Sequence, residues 1–239
     1  MGRFEESVFP FTTEEISGYF KALNLKDKSV LTVGSSGDQA FNAIYYGARK
    51  VTVFDINPYT GDFIQEKKKV LLESNYENYY ENVLKTRFPI RKDELFPRKD
   101  LTRMNPYMSD KDSFRRLQEI IDSVNIEFIN GDIFSPSDAL KGQKFDHIIL
   151  SNVLQGLLEK AKENNYTGPE LDFLKRTFIE LISFLNEKGI LQFLYYYCYS
   201  LNKKSLSKVC KVLEDYILSI IIFDKGNNNS DAVVTYVKR

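Results

Sequence analysis

Residues 29–58, SVLTVGSSGDQAFNAIYYGARKVTVFDINP, pass from an apolar run through a small-residue turn and a helical stretch to a second apolar run. No other stretch restricts the fold as tightly. SVLTVG is β-rich and ends in glycine, and the DQAFNAIYYGA that follows places Ala40, Ala43 and Ile44 at helical spacing before stopping at Gly47. KVTVFDINP is a second short strand of branched and aromatic residues, closed by Asn57 and Pro58. Strands joined through a helix pair parallel, so a βαβ unit is predicted here.

The alternation continues along the chain. A helix is predicted from about Tyr59 to Ser74, VNIEFINGDIF supplies a third strand, KFDHIILSN a fourth and GILQFLYYYCYS a fifth, with a helical PELDFLKRTFIELISFLNEKG between the last two. DYILSIIIFDKGNNNSDAVVTYVKR then shows two β-rich runs with only a polar turn between them, which must pair antiparallel. The predicted class is α/β: a doubly wound, mostly parallel seven-stranded sheet, Rossmann-like, ending in an antiparallel hairpin. Residues 1–239 read as one domain with two additions. Thr12 and Glu15 stand in capping-box spacing ahead of Ile16, Tyr19, Phe20 and Leu23, predicting an entry helix over about 12–24. Residues from about 75 to 118 exceed an ordinary loop and read as an insertion. Its segment 83–103 holds seven Lys or Arg against three acids, with Phe88 and Phe96 interleaved. That segment suits a solvated lid or a surface for an anionic substrate.

Composition removes several function classes. Lys plus Arg and Asp plus Glu are both 33, so bulk charge gives no reason to expect a polyanionic partner. The opening MGRFEESVFPF carries acids where a secretion signal needs a positive start, and the apolar run Ile190–Leu201 is too short to span a bilayer, so a cytoplasmic protein without a transmembrane segment is expected. Cys198 and Cys210 fit no zinc or redox spacing, and no metal site is expected. The single histidine, His147, sits in the apolar run FDHIILSN and reads as a packed residue, which removes support for Ser-His-Asp or Cys-His chemistry.

The positive signal lies at strand ends. A strand closing on Gly34, Ser35, Ser36 and Gly37 before a helix gathers backbone N–H groups and lets a ligand approach the main chain. Asp55, at the end of the next strand, stands where a carboxylate can accept two hydrogen bonds from a ribose diol. A further acid follows the third strand in NGDIF. A dinucleotide site would use G-x-G-x-x-G, whereas this chain has Gly34-Ser-Ser-Gly37-Asp-Gln-Ala40 without the central glycine. Asp38 would repel a pyrophosphate and suit the ammonium of a methionine moiety. It equally suits a first-turn helix carboxylate stabilised by the macrodipole.

VLTVGSSGDQA, VTVFDINP, FINGDIF and FDHIILSNVL together resemble the ordered motifs of the class I AdoMet-dependent methyltransferase superfamily, over about residues 29–155. The glycine/serine loop followed by Asp38 and DINP is similar, more narrowly, to the AdoMet:diacylglycerol 3-amino-3-carboxypropyltransferases and their shorter relatives. The superfamily resemblance implies S-adenosyl-L-methionine as cofactor, with Gly34, Ser36 and Gly37 against the methionine part, Asp55 on the ribose hydroxyls and Ile56 against the adenine face. It implies Asp132 as acceptor of the adenine N6 hydrogen, Ile133 flanking the ring, and Ser151 or Asn152 facing the sulfonium. The chain departs from the superfamily at Thr32, where an acid is usual two residues before the first loop glycine. Asp38 is the candidate replacement.

Displacement at a sulfonium carbon depends chiefly on positioning, so the lack of a histidine base is compatible with it. Methyl transfer to a small-molecule acceptor, for which an anionic or lipid-like molecule is a candidate, is the leading expectation. Aminocarboxypropyl transfer and a non-catalytic AdoMet-binding or protein-interaction module are the alternatives. No catalytic residue is assigned. In YYYCY, Tyr195 and Tyr197 share one face of an extended strand and either pack or line the acceptor pocket. No nucleic-acid acceptor is expected, because SNVLQ stands where the Asp/Asn-Pro-Pro-aromatic signature would follow the fourth strand.

Overall fold

The structure, a computed structural model, describes residues 7–91, 95–156, 169–198, 219–224 and 230–238. Two compact units divide the chain, Met1–Ile133 and Phe134–Arg239.

The first unit is built on strands β1 (Ser29–Val33), β2 (Lys50–Asp55) and β3 (Ile126–Asn130). They pair parallel in the order β3-β2-β1, with Val30 opposite Val51 and Val53 opposite Phe128. All five residues of β1 are buried, as a parallel strand covered on both faces requires. Helix α2 (Asp38–Tyr45) is buried at every residue from Asp38 to Ile44. Its small Ala40 and Ala43 let it lie close to β1 and β2, and its other side meets helix α6 (Lys111–Ile121). Helix α3 (Tyr59–Glu73) turns Phe63, Ile64, Lys67 and Leu71 inward at helical spacing.

The two additions also take form in this unit. The entry helix is shorter than its sequence pattern: α1 spans Ile16–Tyr19 and passes into a 3₁₀ turn over Phe20–Leu23. Thr12 does not cap it. Its hydroxyl accepts from Glu14 N–H and its own N–H donates to Asp38, so the expected capping box is replaced by a tertiary contact. The insertion contains α4 (Tyr79–Leu84), α5 (Arg98–Met104), a 3₁₀ turn at Pro106–Met108 and α6, which Asp110 caps by accepting from Ser113 N–H at 2.7 Å.

The second unit carries β4 (Phe145–Ile149), helix α7 (Pro169–Ser183), β5 (Leu185–Cys198), β6 (Ser219–Asp224) and β7 (Ser230–Val237). β4 and β5 are parallel, and β7 lies between β5 and β6, antiparallel to both. The last strand is therefore beside the fifth. Between Gln192 and Leu194 the register slips by one residue, a bulge at Phe193. Gln192 pairs with Thr235 and Tyr195 with Val233, so residues three apart share one face. Phe178 of α7 packs on Phe193 and Tyr236, with ring centroids 4.9 and 5.7 Å apart. Among the described residues no helix is long and apolar enough to cross a membrane.

Candidate functional site

The turn after β1 is shaped by what surrounds it. Gly34 N–H donates to the Phe54 carbonyl at 3.0 Å, extending the ladder by one rung. A Cβ at Gly34 would lie 2.5 Å from Thr60 Cγ2 and 2.6 Å from Asp55 Oδ2, so only glycine brings the chain this near to Asp55. Ser35 then adopts φ 44° and Gly37 φ 78°, both left-handed. Gly37 N–H donates to the Gly34 carbonyl at 2.7 Å, and its own carbonyl accepts from Phe41 N–H at 3.0 Å, opening α2.

Asp55 closes β2 against this turn. One carboxylate oxygen accepts from Ser35 N–H at 2.7 Å and the other from Asn57 N–H at 2.9 Å. The side chain is half-buried, and burial raises its pKa above the ordinary carboxylate value against the opposing pull of the Asn57 and Ser35 N–H groups. The Thr60 side chain and the Ile56 N–H also bear on this carboxylate, which stays partly exposed to solvent. Ile56 follows with 55% of its surface exposed, an apolar side chain set beside a carboxylate. The end of β2 is held by β3: Gly131 N–H and Asn130 Nδ2 both donate to the Asp55 carbonyl at 2.9 Å, and Asn130 reaches the Ile56 carbonyl at 3.0 Å. Asp132 is exposed immediately after, and Ile133 is buried. Gly34, Ser35, Gly37, Asp55 and Ile56 thus gather about one turn, and Asp132 and Ile133 follow the strand that braces it.

Asp38 differs from its expected role. Its side chain is wholly buried and pairs with Lys67 Nζ at 2.6 Å, itself wholly buried. The same oxygen accepts from Tyr107 Oη at 2.6 Å, and the other accepts from Thr12 N–H at 2.6 Å and Ser36 Oγ at 3.1 Å. Four donors fill a carboxylate's lone pairs. We therefore correct the ammonium-binding role to that of an internal anchor. Thr32 is also buried, with 1% of its surface exposed.

Sequence reasoning missed Lys67 and Tyr107. Lys67 donates to the Ser36 carbonyl at 2.9 Å as well as to Asp38, and stands 4.5 Å from the centroid of the Phe11 ring. Burial pushes its ammonium below the ordinary lysine pKa, and Asp38 opposes that shift. Tyr107 and its neighbour Tyr79, with hydroxyls 3.3 Å apart, are raised well above the ordinary tyrosine value by burial and then by the Asp38 charge. A signal for Lys67 existed: it shares the i, i+3, i+4, i+7 positions with Thr60, Phe63 and Ile64 in an otherwise charged helix. The N-terminal segment joins the same region, because Asn57 Nδ2 donates to the Ser7 carbonyl and Gln39 Nε2 to Glu14. Several insertion cations are engaged inside the unit: Arg98 donates to the Tyr76 and Glu77 carbonyls, Arg103 pairs with Glu15, and Arg91 lies over Phe9. Lys92 lies outside the described residues.

In the second unit Ser151 follows β4 in a left-handed conformation, φ 58°, and is buried, while Asn152 is exposed. Ser151 N–H donates to Gln192 Oε1 at 3.3 Å, and its carbonyl accepts from Tyr195 N–H at 2.8 Å. Tyr195 is fully buried and its hydroxyl donates to Asp231, which places it with the packing reading of the two given above. Tyr197 belongs to β5 opposite Asp231, and its side chain lies outside the described residues. His147 is buried in β4.

Known structures can now be set beside this geometry. The chain is similar in fold to the PH0226 protein from Pyrococcus horikoshii OT3. The two share 14% identity over 94% of this chain and 88% of that one, with a TM-score of 0.51. N-methyltransferase NodS from Bradyrhizobium japonicum WM9, solved with S-adenosyl-l-homocysteine, is 11% identical over 91% of this chain and 83% of its own, with a TM-score of 0.48. Magnesium protoporphyrin IX methyltransferase from Synechocystis PCC 6803, solved with bound SAM, is 14% identical over 94% and 76%, also at 0.48. Identities this low speak to the fold and to nothing finer. No family model matches the chain, and no curated protein matches it.

Proposed function

We propose that this chain is an AdoMet-dependent transferase that moves a methyl group to a small-molecule acceptor. The observation that carries the reading is the turn at 34–37 pressed against a half-buried Asp55, with exposed Ile56 beside it. A partly exposed carboxylate at a strand end suits a vicinal diol, and an exposed apolar side chain next to it suits the face of a purine. On this reading Gly34, Ser36 and Gly37 border the methionine part, and Asp132 and Ile133 complete the adenine end. Tyr197 stays a candidate for the acceptor; Tyr195 is withdrawn, because its hydroxyl is committed to Asp231.

Attack on a sulfonium carbon expels a neutral thioether, so the protein's task is to align donor and acceptor. Calorimetric titration with AdoMet and with S-adenosylhomocysteine tests binding, and turnover with a metabolite pool identifies the transfer. S-adenosylhomocysteine as the leaving product supports methyl transfer, and methylthioadenosine supports aminocarboxypropyl transfer. Absence of AdoMet binding to the purified protein overturns the proposal.

A further inference from the structure

We propose that Lys67 is a positioning residue for the 34–38 turn, and that the insertion acts on this turn through Tyr107. The inference rests on the AdoMet reading for its functional consequence but has a readout independent of it.

The Lys67 ammonium is fully buried and directs its hydrogens to three partners: Asp38 at 2.6 Å, the Ser36 carbonyl at 2.9 Å and the face of Phe11. Fixing the Ser36 carbonyl fixes the plane of the Ser36–Gly37 peptide, because that unit is rigid. The peptide lies between the left-handed Ser35 and Gly37, where a serine pays a conformational cost that surrounding contacts must offset. Asp38 then ties the start of α2 to two distant segments: Thr12 of the N-terminal stretch and Tyr107 of the insertion. Asn42 adds a second link to the insertion, donating to Asn105 Oδ1 at 2.9 Å. The turn is thus held by Lys67, Asp38 and Tyr107 as well as by Asp55.

A buried ion pair that serves stability alone can be replaced by neutral residues of similar shape at little loss. One that sets the geometry of a turn loses that geometry on such replacement even where stability is kept, because the Ser36 carbonyl loses its donor. Two variants separate these cases: the neutral pair Lys67→Met/Asp38→Asn, and Tyr107→Phe. Thermal unfolding, hydrogen–deuterium exchange of the unliganded protein and AdoMet titration are measured on each. The neutral pair is expected to melt close to the parent protein, to exchange faster at amides 35–38 but not at β3, and to bind AdoMet about ten-fold more weakly. Tyr107→Phe is expected to move exchange and affinity in the same direction by about three-fold. A folded neutral pair with unchanged exchange at 35–38 and unchanged affinity overturns the inference. If that pair fails to fold, Tyr107→Phe decides alone by the same readouts. Should the parent protein bind no AdoMet, the functional reading falls, and the exchange data still decide whether Lys67 positions the turn.

Discussion

Two carboxylates flank one turn and show opposite surroundings. On its inner side Asp38 is wholly buried, paired with an ammonium and surrounded by four donors; on its outer rim Asp55 is half-buried, held by two main-chain N–H groups and flanked by an exposed Ile56. The difference teaches how to separate an acid that builds a site from one that serves it. An ionised group without solvent must be neutralised and saturated by the protein, which leaves it no capacity for a ligand. A partly solvated acid exchanges its water contacts for those of a ligand without leaving a charge unpaired.

The largest effect expected from this contrast is on stability at the inner side. Removing one partner, by Asp38→Ala or Lys67→Met, strands a buried charge and should cost about 3–5 kcal/mol, read by urea denaturation. Asp55→Asn should cost less by the same measurement, about 1–3 kcal/mol, because one of the Ser35 and Asn57 N–H groups meets the new amide NH2 in place of an acceptor. If the two sites proved equally costly, the division between inner anchor and outer rim would be wrong.

Next comes AdoMet affinity at the rim. Asp55→Asn should lose about 1.5–3 kcal/mol of binding, the value of hydrogen bonds to a charged acceptor, read by calorimetry. Acidity gives the same test without substitution. Because burial raises the pKa of Asp55, falling pH protonates it before an ordinary aspartate, and a neutral carboxyl accepts less well from ribose hydroxyls. Affinity should therefore decline on acidification at a higher pH than an ordinary aspartate would give, and that decline should vanish in Asp55→Asn. Gly34→Ala should follow at about 1–3 kcal/mol of stability, since its methyl would meet Thr60 and Asp55 at distances real side chains do not tolerate. Its AdoMet affinity should fall with it, because the displaced neighbour is the Asp55 carboxylate.

Much of this geometry was legible in the residues. Strand, turn, helix and strand over 29–58 follow from local periodicity, and Gly34, Ser35 and Asp55 meet because a parallel βαβ unit brings consecutive strand ends together. The antiparallel C-terminal pair follows equally from a turn too short for a crossover. Asp38 was misread because its identity as an acid beside a loop is local information, whereas its orientation is set by Lys67 and Tyr107, 29 and 69 positions away. Thr12 failed as a cap because its hydroxyl accepts from Glu14 N–H and a buried carboxylate 26 positions away takes its own N–H. The bulge at Phe193 has no sequence mark either, since no glycine stands at or beside it and it arises from pairing with β7.

The smallest effect separates the apolar part of the rim from its polar part. Ile56 is 55% exposed, so truncating it to alanine removes few internal contacts and should leave stability within about 0.5 kcal/mol. Its neighbour in the proposed adenine end, Ile133, is only 7% exposed, and the same truncation there should cost about 2–5 kcal/mol of stability by opening a cavity. On AdoMet affinity Ile56→Ala should cost about 1 kcal/mol or less, the worth of the apolar area that a purine face would cover on that side chain. Titration of Ile56→Ala beside Asp55→Asn therefore ranks the two contributions. A loss at Ile56 as large as that at Asp55 would mean that the rim grips its ligand through apolar cover, and that the Asp55 carboxylate, like Asp38, chiefly holds the turn.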